Sequence, residues 1–326
     1  TFGTFFALLT LYFAILVAQG GEAGRHGGGW GAYVGLGLGV GASISCRINL
    51  LPLIVIAAFA AGVRLWDDIA TLRRQGRSRD MAAVGLLVQM TIFRLLVMVL
   101  ITVAVFRVAM PYAFGGTSIL DFSFAPQWRQ NMKDVQALMS GAADTPPGHQ
   151  WTSRTPFVFP FANMVLWGMG IFLGLAAWAG WLLATGQAVW ALTGVGRSPR
   201  LAEIRREARP HLIPIAWIGG MFLWQGLQYV QSMRYLLPIY PALALMAGWF
   251  LWWLVDNVGE WSVRRRLLAL RPVAYALLAA VTIGTILWGW GFLAIYRRPL
   301  TRITASEWLY NNIPDGSVVV NEHWDD

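Results

Sequence analysis

Long apolar blocks are the feature that most restricts what this chain can fold into. A helix that crosses a bilayer needs about 20 apolar residues, because the hydrocarbon is about 30 Å thick and each helical residue rises 1.5 Å. Eight blocks approach that length: 2–19, 31–46, 48–63, 82–109, 164–193, 212–229, 236–255 and 273–295. The pattern predicts an all-α polytopic membrane protein with about eight transmembrane segments.

The second and third blocks are shorter than most of the others and are separated by Arg47, Ile48 and Asn49. They suggest a hairpin of two half-length helices. Such a turn is tolerated at membrane depth only where protein or water surrounds it.

Composition supports the membrane class. Hydrophobic residues make up 57% of the 326 residues and charged residues only 13%. Many of the 18 tryptophans lie near block ends, among them Trp30 and Trp252. That position suits residues that keep the ring in lipid and the N–H among the headgroups, so we interpret them as membrane anchors.

The net charge of +9 does not indicate a nucleic-acid partner, because most of the basic residues are arginines in short loops between apolar blocks. The positive-inside rule places the arginine-rich loops 64–81, 196–210 and 256–272 in the cytoplasm. The loops 110–163 and 230–235 carry few basic residues for their length, so we expect them, and both chain ends, on the other side.

These observations predict the domain organisation and location of the chain. Residues 1–296 form the transmembrane domain, with the extracytoplasmic loop 110–163, and residues 297–326 begin an extracytoplasmic C-terminal region. We expect a multi-pass protein of the inner (cytoplasmic) cell membrane. Because the chain opens inside an apolar run and not with Met, we also expect further sequence before Thr1.

Small residues recur inside the spans. Gly31, Gly35 and Gly39 follow one another at four-residue spacing, as do Gly170 and Gly174. This spacing lets membrane helices approach closely. The glycines do not form a nucleotide-binding loop, since no strand precedes them and no Lys follows. The single cysteine, Cys46, excludes an internal disulfide and supports no metal site.

The outer loop contains the most informative polar sequence. Residues 125–139 place apolar side chains at helical spacing between charged ones, which predicts an amphipathic helix on the membrane surface. Residues 144–156 follow, rich in turn formers and polar donors. A loop of this chemistry is more often functional than idle, and the alternative is a solvated connector.

A second polar group follows the sixth block. Gln225, Gln228 and Ser232 fall at i, i+3 and i+7 and lead to Arg234 and Tyr235, which favours a wet cavity over lipid. Arg94 stands apart, about 18 Å along its span from the cytoplasmic end at 1.5 Å per residue. No Asp or Glu lies within any span to pair with Arg94, so its partner is a carbonyl, a water-filled cavity, a ligand phosphate or residues outside this chain.

The C-terminal segment differs in character. Residues 305–313 predict a helix, 314–316 a turn and 317–320 a short strand, which resembles the start of a small α/β domain. Glu322, His323, Asp325 and Asp326, with His149 as a further candidate, are residue types that bind a divalent cation. The alternative is a solvated terminus without metal.

Several stretches resemble the phospholipid-carrier-dependent glycosyltransferases, the dolichyl-phosphate-mannose protein mannosyltransferase-like (GT-C) group. The clearest is Arg234-Tyr-Leu-Leu-Pro238-Ile-Tyr-Pro241, which is similar to the group's Arg-Tyr-x-x-Pro-x-x-Pro element. Three softer matches are the glycine-rich run from Gly35 to Arg47, the loop from Met110 through Thr152, and the segment from Ala305 through Asp325.

The resemblance implies a GT-C-like fold and a membrane enzyme that passes a sugar from a polyprenyl-phosphate carrier to an extracytoplasmic acceptor, with inversion. Such a reaction needs a carboxylate base and cationic groups on the departing phosphate. The residues that suit substrate or lipid-phosphate binding are Arg47, His149, Trp151, Arg154, Gln225, Gln228, Arg234 and Tyr235. The group's acidic pair has no match here. Either the chain starts several spans into the fold or catalysis has been lost.

Three functional hypotheses remain. The first is the lipid-linked sugar transferase, acting on membrane lipid and a polyprenyl-phosphate sugar donor. The second is a noncatalytic relative that serves as a subunit of a larger membrane complex. The third is a transporter, which would predict intramembrane carboxylates or interrupted helices in matching halves, and the sequence has neither.

Overall fold

The computed structural model describes residues 2–20, 29–76, 80–116, 118–143, 145–193, 199–265, 270–318 and 320. For residues 199–207, 209, 259–265 and 270 it describes the backbone alone. Apart from one isolated antiparallel bridge between Phe114 and Phe124, the described residues form helices and the turns between them.

The described chain contains eleven α-helices. They are α1 (Phe2–Gln19), α2 (Trp30–Cys46), α3 (Leu53–Arg74), α4 (Met81–Ala109), α5 (Pro126–Ser140), α6 (Val158–Asn163), α7 (Ile171–Thr193), α8 (Pro199–Gly226), α9 (Tyr240–Arg265), α10 (Leu270–Tyr296) and α11 (Thr301–Asn312). A π-helical turn, Met164–Gly168, joins α6 to α7. Short 3-10 turns cover Ile48–Leu50, Pro111–Ala113, Pro146–Trp151, Met233–Tyr235 and Leu237–Ile239.

Six helical stretches of the described chain are long and apolar enough to cross a membrane. They are Phe2–Gln19, Ile48–Arg74, Met81–Ala109, Ile171–Thr193, Leu237–Val258 and Arg271–Asn312. Two further apolar helices, Trp30–Cys46 and Val158–Gly168, are shorter. The fold is therefore all-helical with about six candidate membrane-spanning helices, as expected of a polytopic membrane protein.

The third block differs from its prediction. The sequence suggested a half-length helix ending near residue 63, but α3 continues to Arg74. Arg64 therefore lies inside the helix and not in a loop. Its Nε is 2.9 Å from Oδ2 of Asp68, one helical turn later, and this i,i+4 ion pair lets the helix continue past a charged residue.

Contacts at the two ends of α1 define two ends of the helix bundle. Gly3 lies beside Arg47, with the Arg47 Cδ 3.8 Å from where a Cβ on Gly3 would be, whereas Gly20 lies beside the guanidinium of Arg64. We call these the Arg47 end and the Arg64 end. Because successive helices run in opposite directions, the α2–α3 and α8–α9 connections lie at the Arg47 end.

Helix α2 packs closely between α1 and α4 because it carries glycines on both faces. A Cβ on Gly39 would lie 2.7 Å from Thr10 Oγ1 of α1, and a Cβ on Gly37 would lie 2.7 Å from the Met98 carbonyl oxygen of α4. Gly35 faces the Phe13 ring. The predicted packing role is thus confirmed for Gly35 and Gly39, while Gly31 has no such neighbour.

One buried apolar cluster joins the first four helices to α7, α8 and α9, with Leu36, Ile56 and Trp217 among its members. In contrast, α10 exposes many large apolar side chains, including Leu287 and Trp290 at 66% and 62%. Apolar surface of this extent is typical of contact with lipid or another membrane chain.

The C-terminal prediction is correct in one part. Residues 305–313 were expected to be helical, and α11 covers Thr301–Asn312. The expected strand at 317–320 is wrong for the residues that can be judged, because 317, 318 and 320 belong to neither helix nor strand. The metal candidates Glu322, His323, Asp325 and Asp326 lie outside the described residues. Within the described part, no group of three or more His, Cys, Asp or Glu side chains is placed to hold a metal ion.

Candidate functional site

Two arginines that are distant in sequence meet around one tyrosine at the Arg47 end. Nη1 of Arg47 donates a hydrogen bond to the Arg234 carbonyl oxygen at 2.7 Å. The guanidinium carbons of Arg47 and Arg234 lie 6.0 and 5.2 Å from the centroid of the Tyr235 ring. Nη2 of Arg234 also donates to the Tyr235 hydroxyl at 3.3 Å. We call these three residues the arginine cluster.

The local chain explains why Arg234 is presented to solvent. Two consecutive 3-10 turns lead from Ser232 into α9. Leu236 between them and Ile239 at the end of the second are buried in the core. The indole N–H of Trp217 donates to the Pro238 carbonyl at 3.2 Å. The anchored apolar residues hold the turn, while the Arg234 side chain remains exposed.

The arginine cluster carries positive charge that no carboxylate neutralises in the described chain, where the ion pair within 4.0 Å is Arg64 with Asp68. Two guanidinium groups on one ring repel each other unless an anion lies between them. A guanidinium can make two parallel hydrogen bonds to phosphate oxygens. The arrangement is therefore suited to bind a phosphate or a carboxylate.

A cavity of about 500 Å³, which we call the loop cavity, is lined in part by residues that closely precede Arg234 in the sequence. Its lining residues come from the end of α5, the loop after it and the segment after α8: Met139, Ser140, Trp151, Ser153, Arg154, Pro156, Leu227, Gln228, Tyr229 and Gln231. Gln231 precedes Arg234 by three residues, so their Cα atoms are at most about 11 Å apart. The cavity and the cluster thus share one segment.

Tyr229 fixes the loop between α4 and α6 against the end of α8. Its hydroxyl donates to the Gly148 carbonyl at 3.0 Å and lies 3.1 Å from Oγ1 of Thr152. Its backbone N–H donates to the Met139 carbonyl at 3.0 Å. These contacts give the loop cavity its walls. The sequence analysis did not select Tyr229, although its position between Gln228 and Arg234 was the available signal.

Trp151 and Arg154 line the loop cavity and both pack against the ring of Phe159 behind them. The Arg154 guanidinium lies 4.8 Å from the Phe159 ring centroid, and Trp151 packs edge-on against the same ring. Arg154 Nε donates to the Gln150 carbonyl at 3.1 Å. The wall therefore combines an aromatic face with a cation.

The three glutamines of this region are placed differently from the prediction. The expected helical stripe of Gln225 and Gln228 does not form, because α8 ends at Gly226. Gln228 is half-buried and lines the cavity, whereas Gln225 is 3% exposed and both of its amide atoms lack a hydrogen-bond partner. Gln231, which the sequence analysis missed, is 5% exposed with an unpartnered Oε1. Unsatisfied buried amides are uncommon and point to a missing polar ligand or water.

His149 lies in the 3-10 turn Pro146–Trp151 and accepts a hydrogen bond from the Thr152 N–H through its carbonyl at 3.1 Å. It does not line the loop cavity. A larger depression of about 600 Å³ lies along α11, but residues of that helix alone line it, so it has no facing wall to orient a ligand.

Asp121 is a carboxylate of the loop between α4 and α5, and its surroundings favour the ionised form. The Ser123 hydroxyl and the Ser123 backbone N–H donate to its carboxylate and, with the positive charge of Arg107, lower the pKa of Asp121. The backbone bond is 2.8 Å long. Neither Asp nor Glu is among the residues that line the loop cavity, so the described chain offers no acidic base there.

Comparison of the chain with protein-family profiles, with curated proteins and with solved structures gives no match in any of the three.

Proposed function

We propose that the chain is part of a membrane glycosyltransferase that moves a sugar from a polyprenyl-phosphate carrier to an acceptor on the extracytoplasmic face. The observation that carries this proposal is the arginine cluster: two cations, unneutralised within the described chain, share one aromatic ring beside a polar and aromatic cavity. A carrier phosphate suits the cluster, and a sugar suits the loop cavity, which is lined by Trp151 and by Gln231 with its unpartnered Oε1.

The chemistry assigns a definite task to these residues. The acceptor oxygen attacks the anomeric carbon, the bond from that carbon to the carrier phosphate oxygen breaks, and the phosphate leaves with the electron pair. Arg47 and Arg234 would stabilise the charge that develops on the leaving phosphate. The acceptor proton goes to a carboxylate base, which is not among the described residues that line the loop cavity.

The proposal includes a finer membrane topology. In it the chain crosses the membrane eight times in a GT-C-like arrangement, with α2 and α8 adding to the six longer apolar helices. The α3–α4, α7–α8 and α9–α10 connections lie in the cytoplasm of a cell-membrane protein, and the arginine cluster lies outside. The arginine-rich sequence of these three connections supports this orientation.

Cysteine labelling tests the topology. Cys46 is exposed beside Arg47 and would itself be labelled. It is therefore first replaced by serine (Cys46→Ser), and each test cysteine is introduced into that variant. A membrane-impermeant maleimide should then label Thr152→Cys from outside the cell and Gln75→Cys only after the membrane is opened. Labelling of both positions from the same side would contradict the orientation.

Transfer from a short polyprenyl-phosphate-linked sugar by the purified protein tests the function. Arg234→Lys keeps the charge but loses the two-pronged geometry, so carrier-phosphate binding should weaken about tenfold. Arg297→Lys is a matched control, because Arg297 also stacks on an aromatic ring, that of Trp290 at 5.3 Å, but lies outside the site. Equal carrier binding by the Arg234→Lys and wild-type proteins would show that the arginine cluster does not bind the carrier phosphate through a two-pronged contact of Arg234.

The second candidate is a noncatalytic subunit of a larger membrane complex. The observation that favours it is that none of the described residues in the lining of the loop cavity is acidic. The two candidates give different results in the same assay. A noncatalytic subunit would bind the carrier phosphate through Arg234 without transferring sugar until a partner chain is added.

A further inference from the structure

The short segment that carries Arg154 into the lining of the loop cavity has an unusual backbone at both ends. The described residues other than glycine with positive φ are Ser153, at 63°, and Phe157, at 61°. The Val158 N–H donates to the Pro156 carbonyl at 2.6 Å, which closes a strained γ-turn centred on Phe157. Backbone of this kind persists where the surrounding structure holds it, and it is frequent at ligand sites.

Contacts with the end of α8 hold this segment in place. Before it, Oγ1 of Thr152 lies 3.1 Å from the Tyr229 hydroxyl. After it, the Phe157 N–H donates to the Gly226 carbonyl at 3.3 Å, and a Cβ on Gly226 would lie 2.6 Å from Cδ1 of the Phe157 ring. The segment is therefore fixed on both sides of Arg154.

Arg154 brings a positive charge to a cavity in which none of the described lining residues is acidic. Its Nε donates to the Gln150 carbonyl at 3.1 Å, and the Phe159 ring centroid lies 4.8 Å from the guanidinium carbon. In the described part of the chain no carboxylate lies within 4.0 Å of Arg154. These neighbours orient the guanidinium without neutralising it, so it can pair with a negatively charged group of a ligand.

The other polar lining residues suit a hydroxylated ring. The hydroxyls of Ser140 and Ser153 and the amide of Gln228 can both donate and accept hydrogen bonds. Gln231 is 5% exposed and its Oε1 is unpartnered, while Trp151 adds aromatic surface. The cavity volume of about 500 Å³ lies within the range of about 300–1,000 Å³ that is usual for small-molecule sites.

Arg154 and the arginine cluster are separate cationic positions, because neither Arg47 nor Arg234 lines the loop cavity. A carrier phosphate bound by the cluster would leave Arg154 without a counter-ion. A ligand that neutralises both positions needs a second negatively charged group, on the part of the molecule that enters the cavity.

We propose that the sugar bound in the loop cavity carries a carboxylate, as a hexuronic acid does, and that Arg154 binds this carboxylate. The inference rests on the proposed sugar transfer and narrows its substrate to acidic sugars. Two parallel hydrogen bonds from the guanidinium favour the carboxylate. A neutral sugar, with a hydroxymethyl group at the same carbon, leaves the guanidinium unpaired and binds more weakly.

Two pairs of methyl glycosides test the inference: the glucuronide with the glucoside, and the galacturonide with the galactoside. Within each pair the sugars differ only in a carboxylate or a hydroxymethyl group. Titration of the purified full chain in detergent, followed by ligand NMR, should show about tenfold tighter binding of the acid in at least one pair. Arg154→Gln should abolish this preference by weakening the acid alone. Arg129→Gln should keep it, because Arg129 is an exposed residue of α5 that does not line the cavity.

The wild type alone can overturn the inference, so the test does not depend on how Arg154→Gln folds. Equal binding within both pairs, or no binding of either acid, would refute it. Raised salt should weaken binding of the acid and not of the neutral sugar. Acetate that binds as tightly as the acid, with the same dependence on Arg154, would show a simple anion site and refute the acidic sugar. Carrier-phosphate binding that still weakens in Arg234→Lys would distinguish these failures from failure of the proposed function.

Discussion

The carbonyl oxygen of Arg234 accepts a hydrogen bond from the guanidinium of Arg47, a residue 187 positions earlier in the chain. This contact positions the Arg234 backbone, while the Tyr235 ring positions both side chains. The geometry of the arginine cluster therefore depends on an aromatic face that carries no charge of its own.

Substitutions of Tyr235 separate the role of this ring from that of its hydroxyl. Tyr235→Phe keeps the face under both guanidinium groups and loses one hydrogen bond of 3.3 Å, so carrier-phosphate affinity should change less than threefold. Tyr235→Leu removes two cation–π contacts and should weaken binding about tenfold. Titration with a fluorescent polyprenyl phosphate measures both. Equal effects of the two substitutions would show that the ring face does not organise the cluster.

Removing the Tyr229 hydroxyl should loosen the outer loop. Tyr229→Phe deletes its bonds to Gly148 and Thr152, at a cost of about 1 kcal/mol, so backbone amides in the turn Pro146–Trp151 should exchange with deuterium faster. Tyr310→Phe is the matched control because Tyr310 is 89% exposed. Unchanged exchange in this turn would mean that other contacts hold the loop.

Two glycines on adjacent helices should respond oppositely to alanine. A Cβ on Gly37 would lie 2.7 Å from the Met98 carbonyl oxygen, whereas a Cβ on Gly85 would meet no atom within 4 Å. Gly37→Ala should therefore destabilise the packing of α2 on α4 by about 1–3 kcal/mol. Gly85→Ala should be neutral or stabilising by up to about 1 kcal/mol. Thermal unfolding in one detergent compares them, and similar melting temperatures would contradict the close approach.

The turn at Asp121 should depend on pH in a defined direction. Hydrogen bonds from Ser123 lower the pKa of Asp121 in the folded protein, so the ionised carboxylate stabilises the turn. This stabilisation is present above the ordinary aspartate pKa of about 4. It is lost as the pH falls through the lowered folded value.

Amide exchange of Ser123, corrected for the intrinsic pH dependence of exchange, measures this effect. Protection should decrease on acidification in the wild type and should not vary with pH in Asp121→Asn. Protection that persists below the folded pKa, or a pH response that remains in the variant, would contradict the assignment.

The helices were largely predictable because their apolar blocks are long, but tertiary contacts decided where some of them end. Arg64 was read as part of a loop, since a lone arginine disfavours a membrane helix, yet Asp68 pairs with it and α3 continues. Gln225 and Gln228 were read as one helical face, yet the chain leaves the helix at Gly226. Neither outcome follows from hydrophobic periodicity alone.

The candidate site was predicted in part. Arg47 and Arg234 were both selected as phosphate-binding candidates, and the structure brings these two into contact. The lining of the loop cavity by Trp151, Arg154 and Gln228 also matches the selected residues. The aromatic neighbours of Arg94 were not foreseen, because Trp30 reaches it only through the packing of α2 on α4.

The bond from Arg47 to Arg234 also joins two parts of the bundle. Arg47 belongs to the connection between α2 and α3, and Arg234 to the connection between α8 and α9. An anion bound by both arginines would stabilise the contact between the first four helices and the later ones. By thermodynamic linkage, separating these two parts of the bundle would weaken anion binding by the same factor by which a bound anion disfavours their separation. Loss of a bound phosphate would therefore remove this stabilisation and allow the two parts to separate more easily.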